Sequence, residues 1–194
     1  MPGKSMDSKS LRRFCLTGVR GVGKSTVLGQ VKEKVKNLHF VTGSDILQNM
    51  MGEEYSNFEY LPEDEKYALR IKLNKVLDDF QQETKMDLVV DAHLTVYNLK
   101  TKSIDMIFTQ KDIDFYTDLI LLDSNPEKVY HHRMRDTKKK RIVDLETIKM
   151  EMETERREAI RISSEYKMNL HIVQMDEEIV EKIIRILMDC KFVY

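Results

Sequence analysis

Neither sign of charge is in surplus: 32 Lys and Arg stand against 33 Asp and Glu, a net charge of -1 at pH 7. That balance gives no ground for generic nucleic-acid binding, although local clusters remain. No apolar run approaches the roughly 18 residues of a membrane span, so no membrane partner is expected. The amino end, Met1 to Arg13, has no signal-peptide core and reads as a polar leader. Cysteine is scarce. Cys15 and Cys190 lie too far apart for a metal knuckle and read as free thiols of a reducing compartment, which points to the cytoplasm. No internal repeat is visible. Glycine is scarce as well, and three of the seven fall between Gly18 and Gly23.

What is present fits one compact soluble domain: 194 residues, 41% apolar and 34% charged. The spacing predicts a flexible leader over 1–12 and a single domain over 13–194. Arg13 to Thr17 is a short apolar strand running into a glycine-rich turn, and helical periodicity resumes from Ser25 to about Lys36. Leu38 to Thr42 reads as a weak strand and Asp45 to Met51 as a short helix. Leu61 to Glu83 reads as a long amphipathic helix, with Pro62 and three acids suited to its first turn. The runs DLVVD (Asp87 to Asp91) and DLILLD (Asp118 to Asp123) are apolar throughout between acidic ends, as in parallel sheets covered on both faces. Ala92 to Thr117 carries no clear pattern. Ser124 and Glu127 have capping-box spacing around Pro126. A second long helix over Asp144 to Lys167, a strand over Leu170 to Gln174 and a helix over Glu177 to Cys190 close the chain. Strands alternating with helices predict a doubly wound α/β domain.

Gly18-Val19-Arg20-Gly21-Val22-Gly23-Lys24-Ser25 fits G-x-x-x-x-G-K-[ST], the nucleoside-triphosphate-binding P-loop. The residue types follow from the task. Glycines allow unusual dihedrals and bring N–H groups against phosphate oxygens, and the helix that follows turns its positive end to the same anion. Lys24 reaches the β- and γ-phosphates, Ser25 can ligate Mg²⁺, and Thr26 supports the α-phosphate. With average residue usage such a match arises by chance in roughly one chain of this length in a hundred; the flanking strand and helix set this one apart.

Gly21 makes the loop G-x-x-G-x-G-K-[ST], the form of nucleoside monophosphate kinases and related small-molecule kinases. Asp91-Ala92-His93 at the end of a strand, the arginine-rich stretch with Arg133, Arg135, Asp136 and Arg141, and Arg156 and Arg157 on the next helix extend the likeness. From about Phe14 to Asp189 the chain most closely resembles the archaeal-type adenylate kinase group. That resemblance implies a three-layer α/β/α P-loop fold around a five-stranded parallel sheet, with a short lid (about 131–143) and a helical acceptor segment (about 44–83). It implies ATP and Mg²⁺ as cofactors and a nucleoside monophosphate, AMP by default, as phosphoryl acceptor. Lys24, Arg133 and Arg141 would be catalytic, Ser25 and Asp91 would hold the metal, and His93, Arg70 and Arg157 would face the acceptor. Two features depart from the group. Arg20 replaces the usual Pro of the loop, and no arginine occupies Tyr55 to Leu61, leaving Arg70 as the nearest candidate for an acceptor clamp.

The segment His131 to Arg141 holds six Lys or Arg and suits a lid that closes over a transferring phosphoryl group; it equally suits a solvated or partner-binding patch. Arg157 and Arg161 share a helix face that could turn to the phosphates or pair with glutamates such as Glu153. Two other functions stay open: a kinase of another small molecule, and a regulatory or nucleic-acid-associated ATPase. Against hydrolysis, Asp91 is followed by Ala92 and not by a glutamate that would activate water. A GTPase switch is disfavoured because no Asn/Thr-Lys-x-Asp motif occurs. Nucleic acid is not expected as a partner, and self-association is left open.

Overall fold

The structure, a computed structural model, describes residues 11–137 and 141–188. The leader expected over 1–12 lies outside them except for Leu11 and Arg12, as do Cys190 and, within the expected lid, Lys138, Lys139 and Lys140. The elements run β1 (Arg13–Thr17), α1 (Lys24–Lys34), β2 (Leu38–Thr42) and α2 (Gly43–Met51), then a 3-10 segment (Gly52–Tyr60) and α3 (Glu63–Thr84). There follow β3 (Asp87–Asp91), β4 (Thr95–Asn98), β5 (Ser103–Met106), α4 (Gln110–Phe115), β6 (Asp118–Asp123), α5 (Pro126–Arg135), α6 (Leu145–Tyr166), β7 (Asn169–Gln174) and α7 (Ile179–Met188). Among the described residues no helix is long and apolar enough to cross a membrane.

Five parallel strands form the main sheet in the order β2-β3-β1-β6-β7. Side chains alternate across it, because successive strand residues point to opposite faces. Phe14, Leu16, Val89, Ile120 and Leu122 enter one core with α1 and α7; Cys15, Leu88, Val90, Leu119 and Leu121 enter the other with α3. Both faces are covered, which is why these strands read as unbroken apolar runs. Helix α6 serves both cores, giving Ile148 to the first and Ala159 and Ile162 to the second. This is the expected three-layer fold with its five-stranded parallel sheet. Cys15 is a free, fully buried thiol, and burial followed by the nearby Asp112 charge raises its pKa well above the ordinary value.

The unpatterned stretch from Ala92 to Thr117 contains a second, two-stranded antiparallel sheet, β4 with β5, and the short helix α4. Asn98 Oδ1 accepts from the N–H groups of Lys100 and Thr101, a side-chain mimic of a turn. Thr109 caps α4 through a capping box with Asp112. The cap of α5 differs from expectation. Asn125, not Ser124, accepts the Glu127 N–H, because Pro126 takes the first helical position and the cap must directly precede it.

At the amino edge of the sheet Asp118 gathers Arg12, Thr117, Asn169 and His171 around one fully buried carboxylate. Burial alone would raise its pKa, but hydrogen bonds from His171, Arg12 and Thr117 outweigh that and hold it well below the usual carboxylate range. A depressed folded-state pKa gives stability that is full above the unfolded value near 3.9 and is lost as pH falls below it. Asp118→Asn is therefore expected to cost about 1–3 kcal/mol at pH 7. Urea titrations from pH 7 to pH 2.5 should show the variant losing less stability on acidification than the wild type. Parallel slopes would contradict this.

Candidate active site

β1 lies at the centre of the sheet, with β3 on one side and β6 on the other. A crevice opens at the carboxyl ends of the strands where the strand order reverses, and the P-loop leaves β1 there. Gly18 has φ +142°, and a Cβ on it would stand 2.8 Å from the Leu122 carbonyl oxygen, so neither the dihedral nor the space admits a side chain. Val19 and Val22 are buried and tie the loop to the core. Gly23 precedes α1 without any side-chain cap, and the first turn of α1 holds no acid. The orphan N–H groups of that turn therefore face the crevice ready for an anion. Ser25 and Thr26 are exposed beside them.

Lys24 opens α1 with its ammonium folded under the loop, 6% exposed. Nζ donates to the Gly18 carbonyl at 2.7 Å and lies 3.8 Å from Asp91 Oδ1. His93 Nδ1 is 2.9 Å from the same carbonyl and 3.2 Å from Nζ. One ring nitrogen cannot donate to Gly18 and accept from Lys24 together. A carbonyl has two lone pairs, so both groups donate to it and the ring carries its proton on Nδ1. Burial, then the Lys24 and Arg20 charges, keep the His93 pKa well below its ordinary value, so the ring is neutral at pH 7. Burial also lowers the Lys24 pKa, with Asp91 and Glu155 acting in the opposite sense.

A buried carboxylate absent from the expected set organises this corner. Glu155, with no exposed surface, accepts from the hydroxyl of Thr17 at the end of β1, from the N–H groups of Leu94 (3.1 Å) and Thr95 (2.8 Å), and from the Thr95 hydroxyl. It thus binds α6 to the strand before the P-loop and to the chain just after His93. The signal was in the sequence: Glu151 and Glu155 interrupt the stripe Ile148, Ala159, Ile162, where acids have no business unless paired.

The arginines divide differently from expectation. Arg133 does not sit on a lid. Helix α5 continues to Arg135, and Val129 and Arg133, four apart, share its buried face. Arg133 Nε donates to the Arg20 carbonyl at 2.8 Å, and Nη1 donates to Glu151 (2.6 Å) and the Ile142 carbonyl (3.2 Å). Nη2 has no hydrogen-bond partner among the described residues. Next to it on α5, His132 Nδ1 is 3.1 Å from the Gly21 carbonyl. Arg141 pairs with Asp136 at 3.1 Å, and burial, opposed by Asp136 and reinforced by Arg133 and Arg20, lowers its pKa. Cβ on Gly21, whose φ is +90°, would lie 2.9 Å from Arg133 Cγ and 3.2 Å from Arg141 Nη1. The loop crest is thus wedged against both side chains. Arg20 itself reaches outward, 3.5 Å from Glu59, which brings the 3-10 segment to the loop.

Arg157 turns to solvent beside Glu158. At 100° per residue it lies about 200° around α6 from the buried Glu155, so it does not face the crevice. Its neighbour Arg156 pairs with Asp123 at the carboxyl end of β6, on the site's edge of the sheet. Arg70 is half-buried in α3, 4.0 Å from Glu63, and burial lowers its pKa against the charges of Glu63, Asp112 and Asp105. Its charged neighbours thus come from the first turn of α3, from β5 and from α4. Beyond Gly23, whose Cβ would meet Met175 Cε at 2.9 Å, lies a shallow depression open to solvent, lined by Lys128, Met175, Asp176, Glu177 and Glu178.

Among the described residues no cluster of three or more His, Cys, Asp or Glu could hold a metal unaided. Mg²⁺ in a phosphate site takes most of its ligands from phosphate and water. The hard oxygens of Ser25, next to Lys24 in the chain, and of Asp91, 3.8 Å from the Lys24 ammonium, fit an ion that arrives with a nucleotide.

The family model described as the AAA domain matches residues 17–149. No curated protein matches the chain. Among solved structures the fold is similar to that of shikimate kinase from Acinetobacter baumannii in complex with shikimate, at 15% identity over 95% of this chain and 97% of that one, TM-score 0.59. It is similar as well to shikimate kinase from Aquifex aeolicus (23% identity, 90% and 95% covered, TM-score 0.57). A gluconokinase from Sinorhizobium meliloti is a third (16%, 89% and 89%, TM-score 0.52). Identities this low establish the fold. The likeness to adenylate kinases drawn from the sequence is upheld as a P-loop kinase fold and not as that particular kinase.

Proposed function

From a chain that belongs to the AAA domain family, we propose a phosphotransferase that moves the γ-phosphoryl group of ATP to a small molecule. The observation that carries this reading is the Lys24 ammonium at the open amino end of α1, with Asp91 3.8 Å away and Arg141 beside the crest of the loop. Transfer spreads negative charge over the equatorial oxygens of the phosphoryl group, and fixed cations in a sheltered crevice stabilise it. The open depression beside Met175 would take the nucleoside, and the segment from Gly43 to Tyr60, joined to the loop through Arg20 and Glu59, would take the acceptor.

When bound, Mg²⁺ would offset the negative charge of the phosphates during transfer; Ser25 and Asp91 are the residues that would hold it. Lys24 would leave the Gly18 carbonyl for the phosphates. His93, neutral and tied to that carbonyl by its own N–H, keeps the loop's first peptide in place when Lys24 departs. The acceptor hydroxyl bonds to the γ-phosphorus as the bond to the β–γ bridging oxygen breaks, ADP leaves, and the hydroxyl proton passes to water.

Of the acceptors considered, a small molecule other than AMP has the better support, because structures of this fold carry the names shikimate kinase and gluconokinase. Incubation with ATP, Mg²⁺ and a panel of shikimate, gluconate, nucleosides and nucleoside monophosphates should yield acceptor-dependent ADP above the Lys24→Ala background. If every member of the panel stays at that background, the reading fails.

A further inference from the structure

We propose that Arg133, with His132 beside it, is a positioning residue that preforms the P-loop by holding the carbonyls of Arg20 and Gly21. Arg133 Nε takes the Arg20 carbonyl at 2.8 Å, and His132 Nδ1 the Gly21 carbonyl at 3.1 Å. In a planar trans peptide the C=O and the following N–H point in opposite directions. Fixing the Arg20 carbonyl on the α5 side therefore turns the Gly21 N–H away from α5, to the concave side of the loop. The Val22 N–H, which follows the Gly21 carbonyl, is turned the same way and closes the loop on the Val19 carbonyl at 3.1 Å.

The grip is rigid for a stated reason. The Arg133 side chain is 2% exposed, and its Nη1 is held by Glu151 on α6 and by the Ile142 carbonyl. A planar guanidinium fixed at Nε and Nη1 has no rotation left, so the loop crest inherits the position of α5 and α6. The Ile142 contact adds the returning end of the lid segment to the same hub. Glu151 acts only through Arg133 and need not approach a phosphate. Without this hub the crest, with glycines at 18, 21 and 23, would sample many conformations and lose part of the nucleotide's binding energy in ordering them.

The site reading above lends the proposal its nucleotide, but its test needs no acceptor. ADP and ATP binding are measured by calorimetry for Arg133→Lys, Glu151→Gln and His132→Gln, with thermal midpoints to confirm folding. The expected result is a five- to twentyfold rise in Kd for ADP and ATP alike in Arg133→Lys and Glu151→Gln, and a smaller parallel rise in exposed His132→Gln. The double variant Arg133→Lys, Glu151→Gln should be no weaker than the weaker single. In ADP formation the KM for ATP should rise by more than kcat falls. If ADP affinity holds while ATP affinity or kcat collapses, Arg133 touches the transferring phosphoryl group, through Nη2, and the proposal is overturned. Unchanged affinity for both nucleotides in folded His132→Gln and Glu151→Gln overturns it too, whatever the fate of Arg133→Lys. A failed acceptor panel leaves all of these binding outcomes readable.

Discussion

Lys24→Ala should lower kcat for ADP formation by about 10²–10³, the loss seen when one preorganised donor to transition-state charge is removed. Lys24→Arg should not rescue it. The ammonium occupies a slot 6% exposed, against the Gly18 carbonyl and 3.2 Å from His93. A guanidinium is larger, planar and forked, and does not act as a compact point charge. The unliganded variant should keep a thermal midpoint near that of the wild type. What it should lose is the stabilisation by ATP, about 2.7 kcal/mol when ATP is present at a hundred times Kd. A pH profile carries the same argument. Burial lowers the Lys24 pKa, so the alkaline limb of kcat/KM, which reports the free enzyme, should set in below the ordinary lysine range. An alkaline limb at the ordinary value, or a variant with wild-type kcat, would remove Lys24 from the phosphoryl site.

Glu155→Gln is expected to cost about 2–4 kcal/mol of folding stability. The carboxylate meets four donors from Thr17, Leu94 and Thr95 with no exposed surface. Bonds to a charged acceptor contribute about 1.5–3 kcal/mol each, and a buried donor left unmade costs about 1–3 kcal/mol. An amide places an NH₂ where two of the four donors already point. The urea midpoint should fall with the m-value unchanged, since the extent of the folded core is the same. A midpoint within about 0.5 kcal/mol of wild type, the range of an inconsequential surface change, would show that the carboxylate holds nothing. Nucleotide affinity should drop with it, because the same carboxylate joins the strand before Gly18 to the chain beside His93.

Much of the frame was legible. β1, β2, β3 and β6 have the bounds read from the sequence; for β1, β3 and β6, covered on both faces, the unbroken apolar run marks the strand, whereas β2 is a half-buried edge strand. The loop from Gly18 to Thr26 was legible because its chemistry demands glycines at fixed intervals. The β4–β5 hairpin was not. It pairs only with itself, its residues are half-exposed, and four-residue strands give alternation too little length to register. Arg133 was read as part of an arginine-rich stretch and Arg157 from a family resemblance, and neither ground fixes the helix face. Phase does. Arg133 follows the buried Val129 by four residues, and Arg157 stands opposite the buried Glu155. Counting from the apolar stripe would have assigned both.

Three contacts that shape the P-loop come from far away in the chain: Gly21 to His132 spans 111 residues, Arg20 to Arg133 spans 113, and Thr17 to Glu155 spans 138. The loop therefore leaves a ribosome well before the groups that give it its form. A nascent chain that stops short of α6 holds the complete motif and lacks the partners of its geometry. Any ligand that needs the formed loop would therefore report that α5 and α6 have docked, not the mere presence of the motif.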